Sequence, residues 1–321
     1  PKIIEAKILG DVPYPVFLEE SGAILTRDPL ISWRFRRVMG DAKFKKLGNV
    51  LTNGTPSVFC AILESAQPRC MGKILGVDVS ELPDVPEPVV DVVGNPQSLF
   101  ALSASGGLYF LQLQGNLQWV KILQSRTFAK IIPFSPVGMM YPNPTGQFVV
   151  LTILEKPGNV GFVVHSAAAQ GVAMLRATDL SFAPSLFPGG ATDIGPSSKY
   201  VAALYDGSTV KFCPDRTAPL AQGEVSPCWD ATLPSPTQRL WSENPNGRAG
   251  CVLNSEKHPY CFIATRETYA GGAPRTVMRY LGASMGAWSN SFQEVSKEPM
   301  ESIHFSTETA VFLVMMSPSK D

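Results

Sequence analysis

Histidine is scarce in this chain, with three in 321 residues, His165, His258 and His304. No two are neighbours in sequence and none sits in a His-Glu-x-x-His spacing, so the ligand pattern of a zinc enzyme is missing. His258, in Ser255-Glu256-Lys257-His258-Pro259, reads as an exposed turn residue. Also missing are Cys-x-x-Cys, a Walker loop, a dinucleotide fingerprint and a Gly-x-Ser-x-Gly elbow. From the residues alone no catalytic group, metal or cofactor is assigned.

Charge is low and balanced, with 27 basic and 27 acidic residues. Zero formal charge excludes an electrostatic grip on nucleic acid or on an anionic membrane. No apolar run reaches the eighteen or so residues that a membrane helix needs. No signal peptide is visible either, so a secreted form is expected to have lost a leader or an anchor.

Helical periodicity is weak. Ile31 to Val38 and Ala167 to Thr178 are the best helix candidates, and neither carries both a cap and a sustained apolar stripe. What is abundant is turn chemistry: 28 prolines and 27 glycines, spread along the chain between short apolar runs. These runs recur in groups of four. The clearest group runs from Pro88 to Gln124, with Val89 to Val93, Ser98 to Ser103, the turn Ser105-Gly106-Gly107, Leu108 to Leu113 and Leu117 to Leu123. Similar groups span Lys45 to Val79, Pro136 to Thr178, Ala191 to Thr232 and Gly247 to Ser291.

Five groups leave two ends over, Ile3 to Phe17 and Ile303 to Met316, both strand-like. If they share a sixth sheet, the chain is a six-bladed β-propeller over residues 1–321, closed by its terminal strands, which removes the exposed edges of an open sheet. A pair of β-sandwiches is the alternative architecture.

The six cysteines form three close couples, Cys60 with Cys70, Cys213 with Cys228 and Cys251 with Cys261. Two of the couples bracket hairpin patterns, and the third frames a proline-rich loop. Six cysteines allow fifteen pairings, so sequential pairing is an expectation from proximity. Disulfides would place the chain in an oxidising compartment, and six buried thiols in a cytosolic protein are the competing reading. Asn53-Gly54-Thr55 is a glycosylation acceptor triplet, with Pro56 after it disfavouring modification.

Aromatic and proline clusters fit binding better than catalysis. Trp229, Asp230, Ala231 and Thr232 follow Cys228 on what reads as a constrained loop, a setting in which an indole anchors an interface. A tryptophan packed in a blade core is the alternative. A propeller sialidase would need converging arginines and paired acidic groups, which spacing alone does not show.

The order of five short motifs resembles the globular heads of paramyxovirus attachment glycoproteins, most closely the henipavirus-like branch. Leu25-Thr26-Arg27-Asp28-Pro29-Leu30 is similar to the start of that family's first blade. The Cys60 to Cys70 hairpin looks like its first-blade disulfide region. Lys130 to Gly138, through Ser135 and Pro136, resembles a turn near its central pocket. Cys213-Pro214-Asp215 with Cys228-Trp229-Asp230, and Cys251 to Cys261 with Tyr260, look like its later loops. The resemblance implies a six-bladed head of a virion-surface glycoprotein, an extracellular part that binds a host cell-surface receptor, with Trp229, Asp230, Ala231, Thr232, Ser135, Pro136 and Tyr260 as contacts. A viral fusion protein is the implied second partner, and oligomerisation through a stalk outside this sequence is the implied assembly. The family's sialidase hexapeptide is absent before Cys60, which reads Asn53 to Phe59, so a protein receptor without sialidase activity is expected. Two alternatives stand beside it: a non-enzymatic propeller scaffold for protein assembly, and a propeller lectin or glycosidase.

Overall fold

The structure is a computed structural model that describes residues 2–9, 14–26, 35–50, 58–95, 97–133, 147–166, 175–197, 200–214, 228–233, 235–240, 249–267, 275–279, 293–294, 302–304 and 314–316. Apart from one 3-10 turn at Ala177–Asp179, every regular element among them is a strand. Both helix candidates are corrected where they are described. Arg36–Val38 is an edge strand, and the end of the second segment enters a single 3-10 turn, Ala177–Asp179, while residues 167–174 lie outside the described residues.

Strands β1 (Ile3–Leu9), β2 (Tyr14–Glu19), β3 (Ile24–Thr26) and β4 (Arg36–Val38) form the first sheet, an antiparallel meander. The second contains β5 (Phe44–Leu47), β7 (Val58–Leu63), β8 (Pro68–Ile74) and β9 (Val77–Asp78). The short β6 (Asn49–Val50) leaves the second sheet to pair in parallel with β10. Sheet three is β10 (Val89–Asn95), β11 (Ser98–Ser103), β12 (Leu108–Gln112) and β13 (Gln118–Ile122). Sheet four is β14 (Phe128–Pro133), β15 (Gln147–Glu155), β16 (Asn159–Ser166) and β17 (Leu180–Pro184). Sheet five is β18 (Asp193–Ser197), β19 (Tyr200–Tyr205), β20 (Thr209–Pro214) and β21 (Trp229–Thr232). In sheet six β22 (Ala249–Leu253) pairs with β23 (Pro259–Glu267), which also pairs with β24 (Arg275–Arg279) and β25 (Gln293–Glu294). The last described sheet is β26 (Ser302–His304) with β27 (Val314–Met316).

The expected sheet count and closure are corrected here. The described strands make seven sheets, and the terminal strands do not share one: β1 pairs with β2, and β26 with β27. Instead β26 packs against both β22 and β1, which puts the last sheet between the sixth and the first.

Adjacent sheets bury their faces against each other in chain order. Leu18 and Ile24 of sheet one meet Phe44, Leu47 and Phe59 of sheet two. Val58, Ile62 and Ile74 of sheet two meet Val92, Ala101 and Leu111 of sheet three. Phe100 and Phe110 then face Ile131, Leu151 and Val163 of sheet four, and Phe162 and Val164 face Ile194 and Val201 of sheet five. Phe212 and Ala231 meet Leu240 and Val252 at the next junction. A sheet covered on both sides needs apolar residues at successive positions, not alternate ones. This is why β11, Ser98–Ser103, is buried at every position.

A repeated hydrogen bond fixes the spacing between sheets. The turn joining the second and third strand of one sheet offers a carbonyl to an N–H at, or in the segment ahead of, the first strand of the next. Phe44 donates to Gly22 at 2.9 Å, Val89 to Ala66 at 2.8 Å, Phe128 to Gly106 at 2.9 Å, Ala191 to Gly158 at 3.0 Å and Thr237 to Gly207 at 2.8 Å. The accepting residues that can be compared have positive φ: 82° at Gly22, 62° at Ala66, 90° at Gly106, 128° at Gly158 and 77° at Gly207. At Gly106 a Cβ would lie 2.9 Å from the Phe128 carbonyl oxygen, so glycine is required there by the neighbouring sheet as well as by its own turn.

Candidate functional site

The segment leading into each sheet carries a common three-residue pattern, which in five of them begins at the residue that donates this bond. An apolar or small buried residue comes first, an exposed residue second and, in every sheet where it is described, a charged residue third. Phe44-Lys45-Lys46, Val89-Val90-Asp91, Phe128-Ala129-Lys130, Ala191-Thr192-Asp193 and Thr237-Gln238-Arg239 follow it, and Ile3-Ile4-Glu5 differs only in that Ile3 is half-buried. In four of these strands the ladder shifts by one residue between the first and third positions, as between Phe44 and Lys46 or Val89 and Asp91. That shift is a β-bulge, which turns the second side chain outward and aims the third toward the neighbouring sheet.

The third positions form a row whose sign alternates from sheet to sheet: Glu5, Lys46, Asp91, Lys130, Asp193, Arg239. Two neighbouring couples of the row pair directly. The ammonium of Lys46 is 3.2 Å from Asp91 Oδ1 and donates to the Val90 carbonyl at 3.0 Å. Lys130 Nζ lies 2.8 and 2.9 Å from the two carboxylate oxygens of Asp193. Asp193 Oδ2 also accepts the Leu240 N–H at 2.6 Å, tying sheet five to the segment leading into sheet six. Between sheets one and two, Glu5 accepts the Leu47 N–H at 2.7 Å and Lys7 donates to the Leu47 carbonyl at 3.1 Å. Burial pushes the Lys130 pKa down, and the Asp193 carboxylate opposes that shift.

A second polar cluster lies at the junction of sheets two and three. Glu87, between Pro86 and Pro88, accepts from Lys121 Nζ at 2.7 Å, Tyr109 OH at 2.7 Å and Ser103 Oγ at 2.7 Å, and from Ser105 Oγ. The Lys121, Ser105, Ser103 and Tyr109 donors together hold the carboxyl far below the usual carboxylate range. Burial, with Glu87 beside it, pushes the Tyr109 phenol up to about 12. Every oxygen of this carboxylate is engaged, so the cluster ties the start of β10 to the β11 and β12 turn and is not arranged as a nucleophile with its base. Among the described residues no group of three or more metal-ligating side chains converges.

The cysteine couples are cystines in the oxidised chain. Cys60–Cys70 joins β7 to β8 and Cys213–Cys228 joins the β20 and β21 pair, with Cα separations of 4.0 and 4.3 Å. Cys251 is disulfide-bonded and stands opposite Cys261 in the ladder. The first couple is also directly opposed in its ladder, and Cys228 continues the register that sets Phe212 against Trp229. The Cys60–Cys70 and Cys213–Cys228 couples therefore bridge neighbouring strands of one sheet.

Five of the residues expected to contact a receptor, Trp229, Asp230, Ala231, Thr232 and Tyr260, fall among the described residues. Trp229–Thr232 is strand β21, at the outer edge of sheet five, and not the loop expected from the cystine before it. Asp230 is exposed and paired with Lys211, Thr232 is exposed, and Ala231 is buried in the core shared with sheet six, where it presents nothing to a partner. Tyr260 is half-buried against that same core. Ser135, Pro136 and Asn53 lie outside the described residues, as do Arg27 and Asp28.

The charged row escaped sequence reasoning. Its signal was a charged residue two places after the buried residue that follows each turn, visible only when the groups are aligned on that residue.

No protein-family model matches the chain, and no curated protein matches its sequence. Solved structures do match in shape. Human WBSCR16 superposes with a TM-score of 0.51 at 9% identity, over 82% of this chain and 76% of that one. Kluyveromyces lactis Hsv2p gives 0.49 at 10% identity over 82% and 75%, and the β-propeller domain of Myceliophteria thermophila Cps50 (Swd1) gives 0.47 at 13% over 79% and 80%. The neighbours are β-propellers of the WD40 and RCC1 kinds, and nothing among them points to a paramyxovirus attachment protein. The fold is an all-β propeller built of four-stranded sheets.

Proposed function

We propose that this chain is a seven-bladed propeller that works as a non-enzymatic, protein-binding scaffold in an oxidising compartment. The observation that carries the reading is the use made of the innermost charges. Lys46 with Asp91 and Lys130 with Asp193 neutralise each other across sheets, so the most site-like cluster serves to hold the ring. Binding is then left to the turns and outer strands that a rigid ring presents. The contacts of β26 with both β22 and β1 support a seventh blade, since they supply a neighbour for the first and sixth sheets alike.

The cystines support the compartment, since a reducing cytosol would not keep them. They also favour a narrower second reading, the receptor-binding head of a surface glycoprotein, as the sequence resemblance implies. Screening the purified, oxidised chain against arrayed extracellular domains tests both, with each hit rebuilt from two purified components. The scaffold reading expects at least one rebuilt one-to-one complex of micromolar affinity or tighter. Robust turnover of a fluorogenic sialoside, or free thiols throughout in the natively expressed protein, would overturn it.

A further inference from the structure

The second residues of the repeated pattern ring the face that carries the inter-sheet turns, and on three consecutive sheets they are Ile4, Lys45 and Val90. Ile4 is 48% exposed and Val90 42%, two of the four large apolar side chains that stand out from the described surface. They occupy the same repeat position two sheets apart, with the exposed Lys45 on the sheet between them. The three sheets are held in contact there, since Leu47 bonds to Glu5 on one side and Lys46 reaches the Val90 carbonyl on the other. Lys43, two residues before Lys45, is exposed as well. Unlike Lys46 and Lys7, neither Lys43 nor Lys45 has an ion pair or side-chain hydrogen bond among the described residues.

From this juxtaposition we infer that the rim formed by Ile4, Lys45 and Val90 is a docking site for a protein segment in which an acidic residue is flanked by apolar ones. This rests on the scaffold reading and gives its partner a chemistry. Two apolar side chains flanking a cation are complementary to two apolar side chains flanking an anion. The lysines supply attraction for the carboxylate, and the partner's apolar groups cover Ile4 and Val90. The Glu5 to Leu47 bond and the Lys46–Asp91 ion pair tie the three sheets together, so the rim is set before the partner arrives, which lowers the ordering cost of binding. A purely apolar partner would leave the Lys43 and Lys45 ammonium groups desolvated beside it.

The test is a display selection of random twelve-residue peptides on the oxidised chain, with binding of synthetic hits measured by fluorescence anisotropy. Hits with an acidic residue between apolar ones are expected, and Lys45→Glu should weaken them at least tenfold. Ile4→Ser with Val90→Ser should weaken them similarly while the variant still melts cooperatively, because the two side chains are 48% and 42% exposed and lie outside the core. Affinity should also fall with added salt. Hits that lack the acidic residue, hits insensitive to all three substitutions, or a selection with no hits each overturn the rim assignment. In the second case the peptides mark another face and the scaffold reading survives, whereas failure of the arrayed-domain screen removes the scaffold reading itself.

Discussion

The Lys130 and Asp193 pair gives the most direct check on the idea that charge holds the ring together. Asp193 is 8% exposed and Lys130 18%, so neither group can recover full hydration when its partner is removed. Asp193→Asn keeps an acceptor for the Leu240 N–H but strands the lysine charge, and removing one member of a buried pair costs about 3–5 kcal/mol. Lys130→Met strands the carboxylate, which keeps only the Leu240 N–H, and should cost about 3 kcal/mol on the same grounds. The double variant removes both charges and leaves the 2.6 Å bond in place, so it should return to within about 1 kcal/mol of the parent. The four proteins form a thermodynamic cycle read from denaturant midpoints at constant slope, with each single variant also melting roughly 6–12 °C lower. Opposite signs for the two singles, or additivity within about 0.5 kcal/mol, would refute the view that the pair acts as one unit.

Other expectations follow from the same geometry. Because the folded Glu87 carboxyl titrates far below its ordinary value, its stabilisation is complete above about pH 4.5 and is lost as pH falls toward that lowered value. Glu87→Gln should therefore lower stability at neutral pH and flatten the acid limb of the stability profile, as read by denaturation at a series of pH values. Tyr109, raised to about 12, should stay protonated after exposed tyrosines have ionised, and stability should decline as pH rises from about 10 toward 12. Reducing Cys60–Cys70 or Cys213–Cys228, which close sequence separations of 10 and 15, should each remove about 3 kcal/mol, measured as a shift of the denaturant midpoint. Gly106→Ala should cost more than Gly115→Ala in thermal melts. Both positions have positive φ, but a Cβ at Gly106 meets the Phe128 carbonyl, while at Gly115 nothing lies within 4 Å.

Local structure was legible where the residues between two turns are uniformly apolar. Val89 to Val93, Ser98 to Ser103, Leu108 to Leu113 and Leu117 to Leu123 were each expected as strands, and β10 to β13 coincide with them within a few residues. The first strand of sheet four was missed because Lys130 interrupts its apolar run and Pro133 ends it, which made Phe128–Pro133 resemble a turn. The lysine is there to meet Asp193 on the next sheet, a long-range reason that no local pattern carries. Trp229 misled in the opposite direction. Its neighbouring cystine suggested a loop, yet the register that opposes Cys213 to Cys228 continues straight into β21. Sheet number was lost at the ends, where the N-terminal strand-like run holds the start of a full sheet and the C-terminal run begins another.

The repeated bond from each turn to the next sheet divides the molecule into a face of fixed length and a face of free length. On the bonded face, the connections between second and third strands are short throughout: residues 20–23, 64–67, 104–107, 156–158 and 206–208. The first-to-second and third-to-fourth connections leave the other ends of these strands, and their lengths range from residues 96–97 up to 134–146 and 215–228. Insertions, tags and permuted termini should therefore be accepted on the second face, and rejected on the first even when they are a single residue long.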